Sequence, residues 1–234
     1  MHRLYPKEAS VEGCFGRESA ERIIKDFFAR KKRKTIITVQ HTESQHHING
    51  MIGACSDWEL TENGKKQAYE IGKWLLYEDC DKCFNMYVSD LKRALQTAEE
   101  INKTLKITPQ ITNIIREVNA GLGNGKSCEW YNINKNPKSN VYDPDYKPFE
   151  DAESDRDLWY RLYTFYQEII SNNVERLLIV SHGTALSFLH SMIMGYSFED
   201  IANIRFIGCG GAVSKFIIES SGKVTINYIN QKVC

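Results

Sequence analysis

Runs of four to five β-like residues recur along the chain between stretches with apolar residues at helical spacing. TIITV at 35–39, MYVS at 86–89, the stretch 111–115 and LLIVS at 177–181 predict strands. Between them, 60–76 sets Ala68, Ile71, Trp74 and Leu75 on one helical face, and 92–105 does the same with Ala94, Ala98, Ile101 and Leu105. Further helices are predicted at 158–170 and 184–194. Ser197, with Asp200 three residues on, has the form of a capping box for a short helix. The stretches 213–219 and 224–229 flank Ser-Ser-Gly-Lys and predict a hairpin. Positions 119–155 are rich in Asn, Gly, Lys, Tyr and Pro, carry no period, and predict an inserted loop or cap. Positions 1–34 predict an extension with a helix at 20–30. Strands alternating with helices predict one α/β domain over 35–234, a three-layer α/β/α sandwich on a mainly parallel mixed sheet.

Composition narrows the class of partner. Thirty Lys and Arg balance thirty Asp and Glu over 234 residues, which leaves no global basic field for nucleic acid. No apolar run approaches the roughly 20 residues of a membrane span. The N-terminal MHRLYPKEAS lacks the apolar core of a signal peptide. Seven cysteines without framework spacing read as reduced thiols, so a cytoplasmic location is expected. The pair Cys80 and Cys83 has no second ligand pair at zinc spacing and reads as ordinary thiols. The KKRK run at 31–34 reads as a solvated helix end. Nothing in the pattern sets an oligomeric state.

Ligands of open α/β sheets bind beyond the carboxyl ends of the strands. The residues just after the four predicted strands are Gln40-His41-Thr42-Glu43-Ser44, Ser89-Asp90-Leu91-Lys92-Arg93, Arg116-Glu117 and Ser181-His182-Gly183. One rim thus receives two histidines, an arginine and a carboxylate. Each alone has an ordinary structural explanation, but the four together point to a site. Imidazole and guanidinium suit a phosphoryl group, a histidine can be its nucleophile, and a carboxylate can move the leaving group's proton. No Asp cluster or Cys/His quartet points to a metal, and no cofactor is expected.

In these blocks the chain resembles the histidine phosphatase superfamily, in its phosphoglycerate-mutase-like branch. That family opens with Arg-His-Gly-Glu-Ser/Thr, then Asn, then Gly-Trp-x-Asp-x-x-Leu-Thr. Here the order is Gln40-His41-Thr42-Glu43-Ser44, with His47 at the Asn position, then Asp57, Leu60 and Thr61. Ser89-Asp90-Leu91-x-Arg93-Ala94-x-Gln96-Thr97-Ala98 resembles the second block, Glu117-x-x-x-Gly121 the acid/base segment, Glu153-Ser154 the pair before a helix, and Ser181-His182-Gly183 the second-histidine block. The resemblance implies the phosphoglycerate-mutase-like fold and a metal-independent phosphatase acting on a small phosphomonoester. His41 would become phosphohistidine, and Arg93 and His182 would hold phosphoryl oxygens. Ser44 and backbone N–H groups near Gly183 would help, and Glu117 would serve as acid and then base.

Two departures bear on activity. The family arginine before the nucleophile is Gln40, a neutral amide in place of a bidentate charged donor, which could cost about 3 kcal/mol of transition-state stabilisation. The following glycine is Thr42, which adds a β-branch. His46, His47 and loop lysines are candidates to replace the charge. A weakened enzyme and a phosphate-binding pseudoenzyme therefore stand beside the active phosphatase. The mutases carry Glu-Arg-x-Tyr-Gly at the acid; Glu117-Val118-Asn119-Ala120-Gly121 lacks the Arg and Tyr, which favours hydrolysis over mutase chemistry. Loop residues Lys126, Trp130, Tyr131, Lys135, Lys138, Tyr142, Tyr146 and Lys147 fit either a substrate-selecting cap or a solvated loop with tucked-in rings. His190, within a predicted helix, reads as structural.

Overall fold

The computed structural model describes residues 32–78 and 84–233, so the expected helix at 20–30 and the Cys80–Cys83 pair lie outside the described residues. The chain runs β1 (Lys34–Gln40), the single turn α1 (Gln45–Ile48), α2 (Glu62–Glu78), β2 (Asn85–Ser89), α3 (Lys92–Leu105), β3 (Pro109–Thr112) and α4 (Cys128–Asn134). It continues with α5 (Asp155–Ser171), β4 (Arg176–Ser181), α6 (Gly183–Ile193), β5 (Val213–Ile218) and β6 (Val224–Gln231). The strands form one mixed sheet in the order β3-β2-β4-β1-β5-β6. The first four are parallel, and β5 and β6 are antiparallel.

Period-two alternation in the central strands feeds two cores. Ile36, Leu177 and Ile179 are buried with Leu158, Leu162 and Phe165 of α5 and Leu186 and Leu189 of α6. Their neighbours Ile37, Val39, Leu178 and Val180 are buried with Ile71 and Leu75 of α2 and Ala94, Ala98 and Ile101 of α3. Each fully buried aliphatic side chain contributes about 1.5–3 kcal/mol, so both sheet faces are strongly fixed. This is the three-layer α/β/α sandwich that the sequence predicts. Ser154 caps α5, its hydroxyl accepting the Asp157 N–H at 3.2 Å while Asp157 accepts the Ser154 N–H at 3.1 Å.

Three local expectations change. The third strand is Pro109–Thr112 rather than 111–115. It is an edge strand, where proline is tolerated; Ile111 stands exposed on it, while Ile115 turns inward to the core. Lys34 is not part of a solvated run. It begins β1 and is buried, its ammonium donating to the carbonyls of Asn172 and Val174, each at 2.6 Å, at the end of α5. Lys32 and Arg33 pair with Glu175 and Glu219. Ser197 and Asp200 do not form the expected capping box before the 3₁₀ turn at Glu199–Ala202: the Asp200 carboxylate accepts the Ser197 N–H at 2.8 Å and also its hydroxyl at 2.9 Å, so that hydroxyl caps no N–H of the turn.

The segment 119–155 contains a 3₁₀ turn at Gly121–Gly123 and α4. Its rings pack on one another, Trp130 stacked on Phe149 and Tyr131 edge-on to it. Lys126, Lys135 and Lys138 lie over Trp130, Tyr131 and Tyr146 at 5.3–5.5 Å. Among the described residues, no helix is long and apolar enough to cross a membrane.

Candidate active site

The carboxyl ends of β1, β2 and β4 and the amino end of β5 meet at one rim, because β5 runs against β1. A cavity of about 350 Å³ opens there, walled by Gln40, His41, His46, His47, Arg93 and Glu117. Gly53 and Ala54, Gly183, Thr184 and Ser187 of α6, and the segment Arg205–Gly208 complete the wall.

His41 comes directly after the last residue of β1 and is buried. Its Nδ1 lies 2.9 Å from the Thr42 carbonyl. A carbonyl only accepts, so Nδ1 carries the proton and Nε2 the lone pair. The other side agrees: Arg93 Nε, a pure donor, lies 3.0 Å from His41 Nε2. Arg93, in the first turn of α3, is almost fully buried. Two of its other four N–H donors go to the carbonyls of Ser56 at 2.7 Å and Ala54 at 2.6 Å. Burial lowers its pKa to about 10, which leaves it charged at neutral pH.

His182 is fully buried, with its ring centre 5.1 Å from that of His41. Its Nε2 lies 2.8 Å from Ser89 Oγ, while its Nδ1 is buried without a hydrogen-bond partner. When the Ser89 hydroxyl donates to Nε2, Nδ1–H is left as an unused donor. Burial is the first cause, and the Arg93 charge the second, that hold both His41 and His182 well below the ordinary histidine range.

Glu117 reaches the cavity from the segment after β3. Its carboxylate accepts the N–H groups of Thr184 at 3.0 Å, Ala185 at 3.2 Å and Val118 at 2.9 Å, capping the N-terminus of α6. The backbone carrying it is clamped from α5. Arg161 donates to the carbonyls of Ile114, Arg116 and Glu117 and pairs with both oxygens of Glu153, at 2.7 Å each.

Several residues stand elsewhere than the resemblance implies. The Ser44 side chain is fully buried, away from the cavity wall, with its hydroxyl 2.6 Å from His46 Nδ1. It acts on the site through that ring. The N–H groups of Thr184 and Ala185, next to Gly183, are taken by Glu117. Thr42 is also buried; its N–H donates to Thr97 Oγ1 at 3.2 Å, so its β-branch does not crowd the cavity. Gln40 does line it, with its amide between two glycines: a Cβ on Gly208 would stand 2.7 Å from Oε1, and one on Gly183 3.4 Å from Nε2. No residue of 119–155 is among the wall residues. His190 donates to or accepts from Thr38 at 2.8 Å inside the core, as a structural residue would.

One residue and one arrangement were not read from sequence; His46 and His47 themselves were, but as replacement charge, which their lowered pKa values do not supply at neutral pH. Arg205, half exposed and 3.8 Å from Asp155, brings a second arginine to the wall. The turn α1 folds His46 and His47 back over His41, with ring centres 5.7 and 5.3 Å from it and 4.0 Å from each other. Burial is the first cause lowering the pKa of both, to about 3 for His46.

These buried imidazoles make stability depend on pH. His41, His182 and His190 all have folded values below the ordinary 6.5, His190 near 3. Above pH 6.5 both folded and unfolded chains keep them neutral, and stability is level. Below it the unfolded chain takes up protons that the folded chain refuses, so stability falls by up to about 1.4 kcal/mol per pH unit for each ring. Urea unfolding at about pH 7.5 and about pH 5.5 checks this, with a clearly lower midpoint expected at the acid value.

A sequence model of the histidine phosphatase superfamily (branch 1) matches residues 36–231. Phosphoserine phosphatase 1 of Hydrogenobacter thermophilus is 27% identical over 181 residues, covering 76% of this chain and 82% of its own length. The 2,3-bisphosphoglycerate-dependent phosphoglycerate mutase of Bartonella bacilliformis is 27% identical over 182 residues, covering 72% and 85%. The structure of a mycobacterial glucosyl-3-phosphoglycerate phosphatase shares the fold, with a TM-score of 0.71 at 15% identity over 85% of this chain and 99% of that one.

Proposed function

This chain belongs to branch 1 of the histidine phosphatase superfamily, and on that premise we propose that it hydrolyses a small phosphomonoester, without a metal, through phosphohistidine on His41. The observation that carries the reading is the His41 lone pair: Nδ1–H is pinned on the Thr42 carbonyl, and Nε2 stands at the cavity beside Arg93. In the proposed reaction the Arg93 Nε–H shifts from His41 Nε2 to a phosphoryl oxygen, the freed lone pair attacks phosphorus, the ester P–O bond breaks, and the leaving oxygen takes a proton from Glu117. Water then gives a proton to Glu117 and cleaves the P–N bond, releasing phosphate and restoring neutral His41. Arg93 lines the cavity, while His182 does not; its ring centre lies 5.1 Å from that of His41 and its buried Nδ1 has no partner, and these two are the groups proposed to hold phosphoryl oxygens. Relatives named as phosphatases support hydrolysis, and Val118 and Ala120, standing where the mutases carry Arg and Tyr after the acid, favour it over mutase chemistry.

Purified protein is expected to hydrolyse an aryl phosphate and members of a broad phosphomonoester panel, with vanadate inhibiting and EDTA without effect. No turnover on such a panel, together with no phosphoenzyme, would contradict the reading. The substrate proposed is a small phosphorylated metabolite, with Arg205 as an added cation at the cavity wall. The cytoplasm is the proposed location, on the basis of the cysteine usage.

One observation favours a second reading, a phosphate-binding protein without turnover: Gln40 stands where the family has an arginine. Gln40→Arg adds a charge-assisted donor at the wall and is expected to raise kcat/KM on aryl phosphate about tenfold, a gain of about 1.4 kcal/mol. Steady-state kinetics of the variant checks this. Tight phosphate binding by both proteins with no hydrolysis by either would favour the second reading.

A further inference from the structure

The three histidines gathered at the end of β1 offer a chemistry that the hydrolytic reading leaves unused. One ring nitrogen from each of His41, His46 and His47 lies within 4.8 Å of the other two. We propose that these three residues form a binding site for a divalent first-row transition metal of the Zn²⁺ type, and that its occupancy blocks the cavity.

Nitrogen donors suit such ions and exclude Mg²⁺ and Ca²⁺, which take oxygen ligands. Zn²⁺ needs three protein ligands plus an open position, which the cavity supplies for water or an anion. The outer contacts are of the kind that orient ligating imidazoles. His41 Nδ1–H is held by the Thr42 carbonyl, and His46 Nδ1 by Ser44 Oγ at 2.6 Å, so both present Nε2. His47 is the least prepared. Its Nδ1 accepts the Ser44 N–H at 3.2 Å, so ligation through Nε2 moves its proton to Nδ1 and gives up that bond. Tetrahedral bonds of about 2.0–2.1 Å place ligand nitrogens closer than the 4.8 Å limit found here. The exposed His47 and half-buried His46, both on the one-turn α1, are the rings free to close the gap.

The opposing term is Arg93. Its Nε–H already occupies His41 Nε2 at 3.0 Å, so the metal and this hydrogen bond exclude each other. The ion therefore takes the very lone pair that the proposed reaction uses, and removing the arginine should improve metal binding. The site itself does not rest on the hydrolytic reading; only the inhibition does.

The test titrates Co²⁺, then Zn²⁺, into full-length protein that has been chelator-stripped, reduced and alkylated at cysteine. Expected is one Co²⁺ with visible bands of nitrogen and oxygen ligation and no thiolate charge-transfer band, displaced by Zn²⁺. His46→Ala and His47→Ala should each weaken Co²⁺ binding by about tenfold or more. Arg93→Gln should strengthen it, and circular dichroism reports whether that variant is folded. If it is not, the two histidine variants decide. No stoichiometric binding, or binding unchanged in the His46→Ala/His47→Ala double variant, would overturn the site. If aryl phosphate turnover is present, Zn²⁺ should abolish it and EDTA restore it; binding without inhibition would overturn the blocking claim alone.

Discussion

Replacing His41 with alanine is expected to lower turnover by at least about 10⁴-fold, the largest effect of any single substitution in the site. The variant loses the one imidazole lone pair that, among the described residues, is fixed at the cavity by hydrogen bonds on both ring nitrogens. It also leaves Arg93 Nε without its acceptor, and an unmet buried donor costs about 1–3 kcal/mol of stability. Because the cavity is open beside it, water can take the acceptor's place, so the fold should survive. Thermal unfolding of the variant must therefore accompany its kinetics. A folded His41→Ala protein that keeps more than a few per cent of the activity would remove His41 from the reaction.

Glu117→Gln is expected to have the second largest effect, and one that depends on the leaving group. General acid catalysis supplies roughly 10²–10⁴-fold, and only where the departing oxygen needs a proton. An alkyl phosphate should lose about that factor. A nitrophenyl phosphate, whose phenolate leaves unaided, should lose far less in its first step, and dephosphorylation should then limit the rate. The substitution has a structural cost as well. The carboxylate accepts N–H groups from Thr184, Ala185 and Val118, and an amide NH₂ facing them can accept none. A loss of about 1 kcal/mol, like that of a lost helix cap, should appear in urea unfolding. Equal losses in kcat/KM, which reports the leaving-group step, on both substrates would show that the residue is not the general acid.

The parts of this molecule that could be read from sequence are those governed by period and strand order. The β1, β2 and β4 runs and the helices between them were legible because their alternation is set by burial on two sheet faces, as Ile36 against Ile37 illustrates. His41, Arg93, Glu117 and His182 were legible because parallel strands bring the residues beyond their carboxyl ends to one rim. Arg205 was not, since it precedes a strand. Only the antiparallel sense of β5 carries residues before it to that rim, and pairing direction is not written in local pattern. The Gly208–Gly211 run beside it was the available signal, and it makes the close contacts with Gln40, His41 and Thr42. The buried roles of Ser44, Thr42 and Lys34 were hidden for a related reason. Each depends on a partner distant in sequence or on a ring folded back by α1, so residue type suggested solvent or ligand where the fold supplies a protein partner. The β3 boundary slipped because Ile111 to Ile115 has the composition of a strand, yet only its first two residues pair at the edge of the sheet.

The central claim is phosphoryl transfer through His41, and trapping the intermediate tests it most directly. The protein is mixed with a radiolabelled phosphomonoester, quenched within the first turnover, and digested for peptide mapping. The expected result is an acid-labile, base-stable phosphoryl group on the peptide containing His41, absent from His41→Ala. Hydrolysis that proceeds with no such label, or with the label on another residue, would contradict it.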